Sequence, residues 1–183
     1  RIRRPKDKAK AEAIMTGLVS SHPEELKYRV TLASYYAQTA QEDKAEAVLR
    51  AAIAADPEDA QRYLLLAEFF ANKVGNEKAI AELETAIAAR PDLTELQFAL
   101  ARLFLQSEKP DKAEEIYRRI IEQQGLEPEG LKARDALAAV MLQQDKPDEA
   151  KALIAEVLKE NPKDIQALTL QGRIALQDKD YPG

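Results

Sequence analysis

The sequence has no cysteine and no tryptophan, a single histidine, and only 6 glycines and 9 prolines among 183 residues. The absence of cysteine excludes disulfides, thiolate metal sites and a cysteine nucleophile. No apolar run approaches the roughly 20 residues that a membrane-spanning helix needs. His22 precedes Pro23 at an expected helix junction and has no partner suited to catalysis or metal binding, so we interpret it as a solvent-exposed junction residue.

The residues that are abundant favour helices. Apolar residues make up 45% of the chain and charged residues 32%, which is ordinary for a folded protein and excludes global disorder. Alanine is the commonest residue, whereas valine and threonine are sparse. This composition favours helix over strand.

Two residue types recur with one period. Prolines at 23, 57 and 91 are spaced by 34 residues, as are alanines at 11, 45, 79 and 113. Agreement between two independent residue types predicts an internal repeat array.

Each repeat contains two apolar stripes with helical spacing. Between Pro57 and Pro91 the first stripe is Tyr63, Leu66, Ala67 and Phe70, and the second is Ala79, Leu83, Ala86 and Ile87. Small residues recur where two helices need to approach closely, at Ala33, Ala67, Ala101, Ala138 and Gly172. The pattern predicts pairs of antiparallel helices.

The junctions between repeats also follow a pattern. Asp56 is expected to cap a helix that begins at Pro57, and Asn161-Pro162 repeats this arrangement. The segment 123–130 contains three extra residues and two glycines. We expect a longer inter-repeat loop there.

The 34-residue pattern resembles the tetratricopeptide repeat. The unit from Ala60 to Leu93 matches the family pattern best, whereas Arg29 and Gln97 stand at a position that Tyr63 fills with an aromatic ring. The resemblance implies an all-α, right-handed superhelical solenoid of about ten helices. It divides residues 1–183, taken as a single array, into a half repeat, four full repeats and the first helix of a truncated repeat: 7–25, 26–59, 60–93, 94–130, 131–164 and 165–183.

Both ends of the chain resemble interrupted repeats. The segment 178–183 resembles a turn that opens a further helix, and Leu168, Leu170, Ile174 and Leu176 are expected to lack a covering helix on the C-terminal side. Because each repeat covers the apolar face of its neighbour, we expect the chain to be a segment of a longer array.

Catalytic, metal-binding and cofactor-binding sites are not predicted. The abundant carboxylates have the spacing of solvated helix faces, no glycine-rich phosphate loop follows a strand, and no calcium-loop pattern is present. The first ten residues are basic, but they lack aromatic residues for base stacking and precede an acidic body. We therefore predict neither an enzyme nor a nucleic-acid-binding protein.

The resemblance instead implies a concave groove lined by the first helix of each repeat. The predicted partner-binding residues are Val30, Ser34, Leu64, Glu68, Asn72, Phe98, Arg102, Leu105, Gln106 and Leu142. They depart from the Lys and Asn pattern with which co-chaperone members of the family hold a terminal carboxylate, so a helix or an extended peptide is the expected ligand. The alternative is that Leu64 and Phe98 partly pack between repeats.

These observations predict a non-catalytic scaffold that binds a protein or peptide partner, without a membrane span or cofactor. The alternative is a structural spacer or a module that self-associates through its uncapped ends. The alanine-rich units resemble those of bacterial members, including envelope and exopolysaccharide-export proteins. That likeness favours the bacterial periplasm or envelope over the cytoplasm.

Overall fold

The computed structural model describes residues 5–177, with side chains from 8 to 176. The basic residues at 1–4 and the turn expected at 178–183 lie outside this part. The described residues form ten helices and no strand. The helices are α1 (Pro5–Ser21), α2 (Leu26–Gln38), α3 (Glu42–Ala55), α4 (Ala60–Lys73), α5 (Asn76–Ala89), α6 (Thr94–Gln106), α7 (Pro110–Gln124), α8 (Pro128–Gln143), α9 (Pro147–Glu160) and α10 (Ile165–Gln177).

The chain divides into two compact units, residues 1–96 and 97–183, and each is described by itself. In the first unit α2 packs on α3 and α4 on α5, while α1 contacts α2 and α3 contacts α4. In the second unit α8 contacts α7, α9 and α10. The predicted all-α class of paired helices is confirmed.

Small and large side chains alternate in the core as the sequence predicts. Ala33, Ala67, Ala101 and Ala138 are buried, and Phe70, one turn from Ala67, is only 2% exposed. Gly172 is different, because it is exposed and a Cβ added there would meet no atom within 4 Å. The expectation of a close helix contact at Gly172 was therefore wrong.

Two helix caps lie later in the sequence than the junction pattern predicts. Asp59, rather than Asp56, caps α4 and accepts a hydrogen bond from the Gln61 backbone N–H at 3.0 Å. Asp164 caps α10 in the same way. Pro57 and Pro162 lie in the turns that precede these two helices. In the first of these turns the Asp56 carbonyl accepts a hydrogen bond from the Asp59 N–H, so α4 begins only after the turn.

The junction between α7 and α8 is shorter than expected. Only residues 125–127 separate the two helices, so the expected long loop at 123–130 was wrong. Gly125 ends α7 with a φ of 54°, a conformation that favours glycine, and Pro128 begins α8. Gly130 makes room for the Gly125 carbonyl, which a Cβ at 130 would strike. The extra residues lengthen the helices instead of the loop.

In three repeats, the side chain at one equivalent position donates a hydrogen bond to a carbonyl of the junction before it. The Tyr63 hydroxyl donates to the Pro57 carbonyl at 3.2 Å, and the Arg29 guanidinium donates to the Pro23 carbonyl at 3.4 Å. Arg134 donates to the Gly125 carbonyl. Arginine thus fills the hydrogen-bonding role of the tyrosine that the family pattern favours.

Helix α10 is partly covered. Leu170 and Ile174 are buried, because the preceding helices α8 and α9 pack on α10, so these two residues do not depend on a helix on the C-terminal side for their cover. Ile165, Leu168 and Leu176 are exposed. Within residues 5–177, no helix combines the length and apolar character that crossing a bilayer requires.

Candidate functional site: a groove between two first helices

A cavity of about 260 Å³ opens between α2 and α4 in the first unit. Both are the first helices of their repeats, the elements that the sequence places along a binding face. The residues that line it are Val30, Ala33, Ser34, Ala37, Leu49, Leu65, Glu68, Phe69, Asn72 and Lys73. We call this cavity the α2–α4 groove.

The lining of the α2–α4 groove is mainly apolar. Val30 and Ala37 come from α2, Leu65 and Phe69 from α4, and Leu49 from α3 beneath them. Leu65 and Phe69 are four residues apart and therefore lie on one face of α4. Both are half-buried, and the Phe69 ring lies 5.6 Å from the buried Phe70 ring. The core therefore supports this wall.

The remaining lining is polar. Ser34, Glu68 and Asn72 are exposed, so a ligand in the groove has access to a hydroxyl, a carboxylate and an amide. The Lys73 ammonium donates to the Ala37 carbonyl at 3.2 Å, which joins the C-terminal ends of α2 and α4. This bond closes one end of the groove.

Four predicted partner-binding residues line the groove together: Val30, Ser34, Glu68 and Asn72. Leu64 is half-buried on α4 and is not among the lining residues. Leu65 and Phe69 were missed, although their spacing of four residues, beside the core stripe of Leu66 and Phe70, was a usable signal.

In the second unit, Phe98 packs among helices. Its ring lies 6.1 Å from the Tyr117 ring of α7, and the Lys132 ammonium of α8 lies 4.4 Å above its centre. Phe98 is half-buried, and burial raises the pKa of Tyr117. These contacts correspond to the alternative in which Phe98 supports the helix packing.

The other predicted residues of the second unit differ in exposure. Arg102 and Gln106 are exposed on α6, whereas Leu105 on α6 and Leu142 on α8 are half-buried. Their role in partner binding stays a prediction.

The two neighbouring tyrosines of α2 hold α1. The Tyr36 hydroxyl donates to the Glu12 carboxylate at 3.0 Å, and the Tyr35 hydroxyl donates to the Lys8 carbonyl at 2.9 Å. Tyr35 therefore contacts α1.

The second helices are linked by ion pairs. Arg50 of α3 binds Glu82 of α5 at 2.9 Å, and Lys44 of α3 binds Glu12 of α1 at the same distance. In the second unit, Arg118 of α7 lies 3.2 Å from Glu149 of α9. In each of these pairs, a positive side chain of one second helix neutralises a carboxylate of a neighbouring second helix.

His22 remains at a junction. Its Nδ1 lies 4.0 Å from Glu24, and its ring lies 5.4 Å from that of Tyr28. In the described part of the chain, no three His, Asp or Glu residues are grouped so as to hold a metal ion.

Family models described as the tetratricopeptide repeat match residues 26–59, 76–136 and 125–174. No curated protein matches the chain.

Solved structures of low sequence identity share the fold. A thermophilic tetratricopeptide repeat protein of Thermus thermophilus is 22% identical, with a TM-score of 0.58 over 92% of this chain and 89% of its own. YrrB, described as a tetratricopeptide repeat protein with an unusual peptide-binding site, is 19% identical, with a TM-score of 0.54 over 91% and 84%. MamA is also 19% identical, with a TM-score of 0.57 over 86% and 91%. The chain belongs to the tetratricopeptide repeat family, whose fold supports a role as a protein–protein interaction scaffold.

Proposed function

We propose that the chain is a non-catalytic scaffold that binds a segment of a partner protein in the α2–α4 groove, and that residues 1–183 act as one repeat array. The observation that carries the proposal is the groove itself. Its apolar walls meet an exposed hydroxyl, carboxylate and amide on the face that the repeat pattern assigns to binding.

The size of the groove indicates what it holds. Its volume of about 260 Å³ is below the roughly 300–1,000 Å³ typical of small-molecule sites. One or two apolar side chains of a peptide fill such a space, with Leu65 and Phe69 as the contact surface. Apolar anchors of this kind usually dominate the binding energy of a protein interface.

The polar rim favours a basic residue next to the anchor. Glu68 is exposed beside the groove, and the chain carries a net charge of −5. Charge complementarity therefore favours a partner segment with Lys or Arg near its apolar side chain. A free terminal carboxylate is disfavoured, because Glu68 would repel it.

The experiment uses peptides selected from a random displayed library against the chain. Ser34→Tyr places a ring in the mouth of the groove from an exposed position, and Glu68→Lys reverses its charge. Thr85→Tyr on the exposed face of α5 is the matched control. Circular dichroism verifies that each variant keeps the wild-type helix content.

We expect Ser34→Tyr to weaken the selected peptides at least tenfold, about 1.4 kcal/mol, with no change for Thr85→Tyr. Glu68→Lys should mainly slow association and reduce its salt dependence. Peptides that bind the Ser34→Tyr protein as tightly as wild type would show that the groove is not the binding surface.

A second candidate function, self-association, is favoured by the apolar residues exposed on α10. Leu168 is 44% exposed and Leu176 is 62% exposed. In this case the wild-type chain sediments as a dimer at micromolar concentration, and Leu168→Glu converts it to a monomer. A wild-type monomer at that concentration would refute this alternative.

We further propose that the chain acts within a larger bacterial protein of the envelope. The alanine-rich repeats support this context, and the likeness to a Thermus thermophilus protein agrees with a bacterial origin. Cell fractionation of the full-length gene product tests it, and recovery in the cytoplasm would contradict it.

A further inference from the structure

Helix α8 buries a carboxyl group that has no cation to neutralise it in the contacts described for it. Asp135 is 5% exposed, and its Oδ1 is buried without a hydrogen-bond partner. Burial raises the pKa of Asp135 to about 6, and the neighbouring Asp164 carboxylate, to which it is hydrogen-bonded, adds to this effect. At this pKa the group changes its charge between mildly acidic and neutral solution.

Asp164 is held in place by hydrogen bonds at the start of α10. As the cap of α10, it accepts hydrogen bonds from the Gln166 and Ala167 backbone N–H groups, each at 3.0 Å. Its other oxygen accepts from the Asn161 side-chain amide at 3.2 Å. The oxygens of Asp164 thus already accept three N–H donors, whereas Oδ1 of Asp135 has none. Because the pKa of Asp135 is raised, its carboxyl is the one that holds the proton and donates to Asp164.

The other charges on α8 have partners of their own. Lys132 lies over the Phe98 ring of α6 and 3.6 Å from Glu129. Arg134 binds Glu156 of α9 at 2.6 Å and the carbonyls of Gly125 and Gly130.

Two arginines of the helices near α8 are occupied elsewhere or exposed. The Arg102 side chain of α6 acts on Tyr117 of α7, and Arg173 is exposed on α10. Among the described residues, Asp164 is the charged group that raises the pKa of Asp135.

The first repeat lacks this pair of carboxyl groups. Val30 occupies the repeat position of Asp135, and Asp59 that of Asp164. There the cap is bound within its own helix, because Arg62 donates to Asp59 at 3.1 Å. Helix α10 has Ala167 where α4 has Arg62. The fourth repeat therefore replaces a bond within one helix by a bond between α8 and α10.

We propose that Asp135 and Asp164 form a proton-dependent clamp that fastens α10 to α8 in mildly acidic solution and loosens it at neutral pH. When Asp135 is protonated, its hydroxyl bridges to the cap of α10. When it ionises, the bridge is lost and the buried Asp135 carboxylate repels the half-buried carboxylate of Asp164. Helix α10 then depends on Ala167, Leu170 and Ile174, its buried apolar residues.

Hydrogen exchange of the whole chain, read by mass spectrometry at pH 5 and pH 7.5, tests the clamp. Rates are divided by the intrinsic rates at each pH, and α4 serves as the internal reference. A carboxyl group of pKa about 6 when docked and 3.8 when released lowers the protection of α10 roughly tenfold between these pH values. Equal protection at both pH values would overturn the proposal.

Asp135→Asn keeps a donor toward Asp164 and cannot ionise, so its α10 protection should change less than about twofold between the two pH values. Asp135→Val copies the first repeat and should also lose the pH response. An unchanged response in either variant would assign the effect to another group and refute the clamp. Carboxyl carbon NMR of the wild type gives a reading independent of variant folding, with an expected midpoint near 6 for Asp135. A midpoint near the ordinary value of about 4 would contradict the proposal.

Discussion

The Arg50 guanidinium of α3 donates two parallel hydrogen bonds to the Glu82 carboxylate of α5, each 2.9 Å long. The same guanidinium bonds Glu46 at 2.8 Å and lies 5.9 Å from the centre of the buried Phe70 ring. Glu82 raises the pKa of Arg50 above its already high ordinary value. The ion pair that joins α3 to α5 is therefore also in contact with the core, through the Phe70 ring.

This geometry predicts a measurable coupling energy. A double-mutant cycle of Arg50→Ala and Glu82→Gln should give about 1 kcal/mol, the upper range for exposed pairs, because the pair is bidentate. The matching cycle at Lys44 and Glu12, joined by one ammonium contact, should give a clearly smaller coupling. Urea unfolding supplies the energies. Equal couplings in the two cycles would contradict the bidentate explanation.

Close packing of α4 predicts a contrast between two alanines. Ala67→Leu adds volume in the core and should lower the free energy of unfolding by about 1–3 kcal/mol. Ala81→Leu lies on the exposed face of α5 and should change it by less than about 0.5 kcal/mol. Thermal melts of the two variants that shift equally would show that the core assignment fails.

The buried Arg62 predicts a larger loss. Its guanidinium donates to the Ala52 carbonyl at 2.9 Å and pairs with the capping Asp59 at 3.1 Å. Arg62→Ala should cost about 2–3 kcal/mol, because a buried carbonyl and a cap lose their donor together. Lysine offers a single charged nitrogen, so Arg62→Lys should recover less than half of this loss. The exposed Arg119→Ala serves as control, and a similar loss there would contradict the explanation.

The contacts of Phe98 predict a role in stability. Phe98→Ala should lower the free energy of unfolding by about 2 kcal/mol, less than for a fully buried ring, because Phe98 is half-buried. Arg102→Glu, one turn away and exposed, should change it by less than about 0.5 kcal/mol. If Phe98→Ala leaves the stability unchanged but weakens a selected peptide, Phe98 belongs to a binding surface instead.

The features that depend on residue spacing within one helix could be predicted from the sequence. The last repeat was expected to begin at residue 165, which is the first residue of α10, and the Ala67–Phe70 pairing appears in the core. The start of α4 was wrong because a four-residue turn and a helix cap use the same residue types, and only the hydrogen bond to the Gln61 N–H separates Asp59 from Asp56.

The groove was harder to predict than the helices. Whether Leu65 and Phe69 face α2 depends on the angle between neighbouring helix pairs, which the periodicity of one helix does not encode. Asp135 lies on α8, the first helix of its repeat. Its neighbour Asp164 is far along the chain, so the burial and pairing of the two carboxyl groups follow from the fold alone.

The junction carbonyls of Pro23, Pro57 and Gly125 accept a hydrogen bond from a side chain at the same repeat position, and the chemical identity of that donor differs between repeats. A phenol supplies it from Tyr63 and a guanidinium from Arg134. The guanidinium has further N–H groups, and Arg134 also binds Glu156 of α9. A consensus sequence with an aromatic residue at this position counts arginine as a mismatch. For the design of repeat arrays, arginine instead adds a cross-link between helices at a site where tyrosine makes one bond.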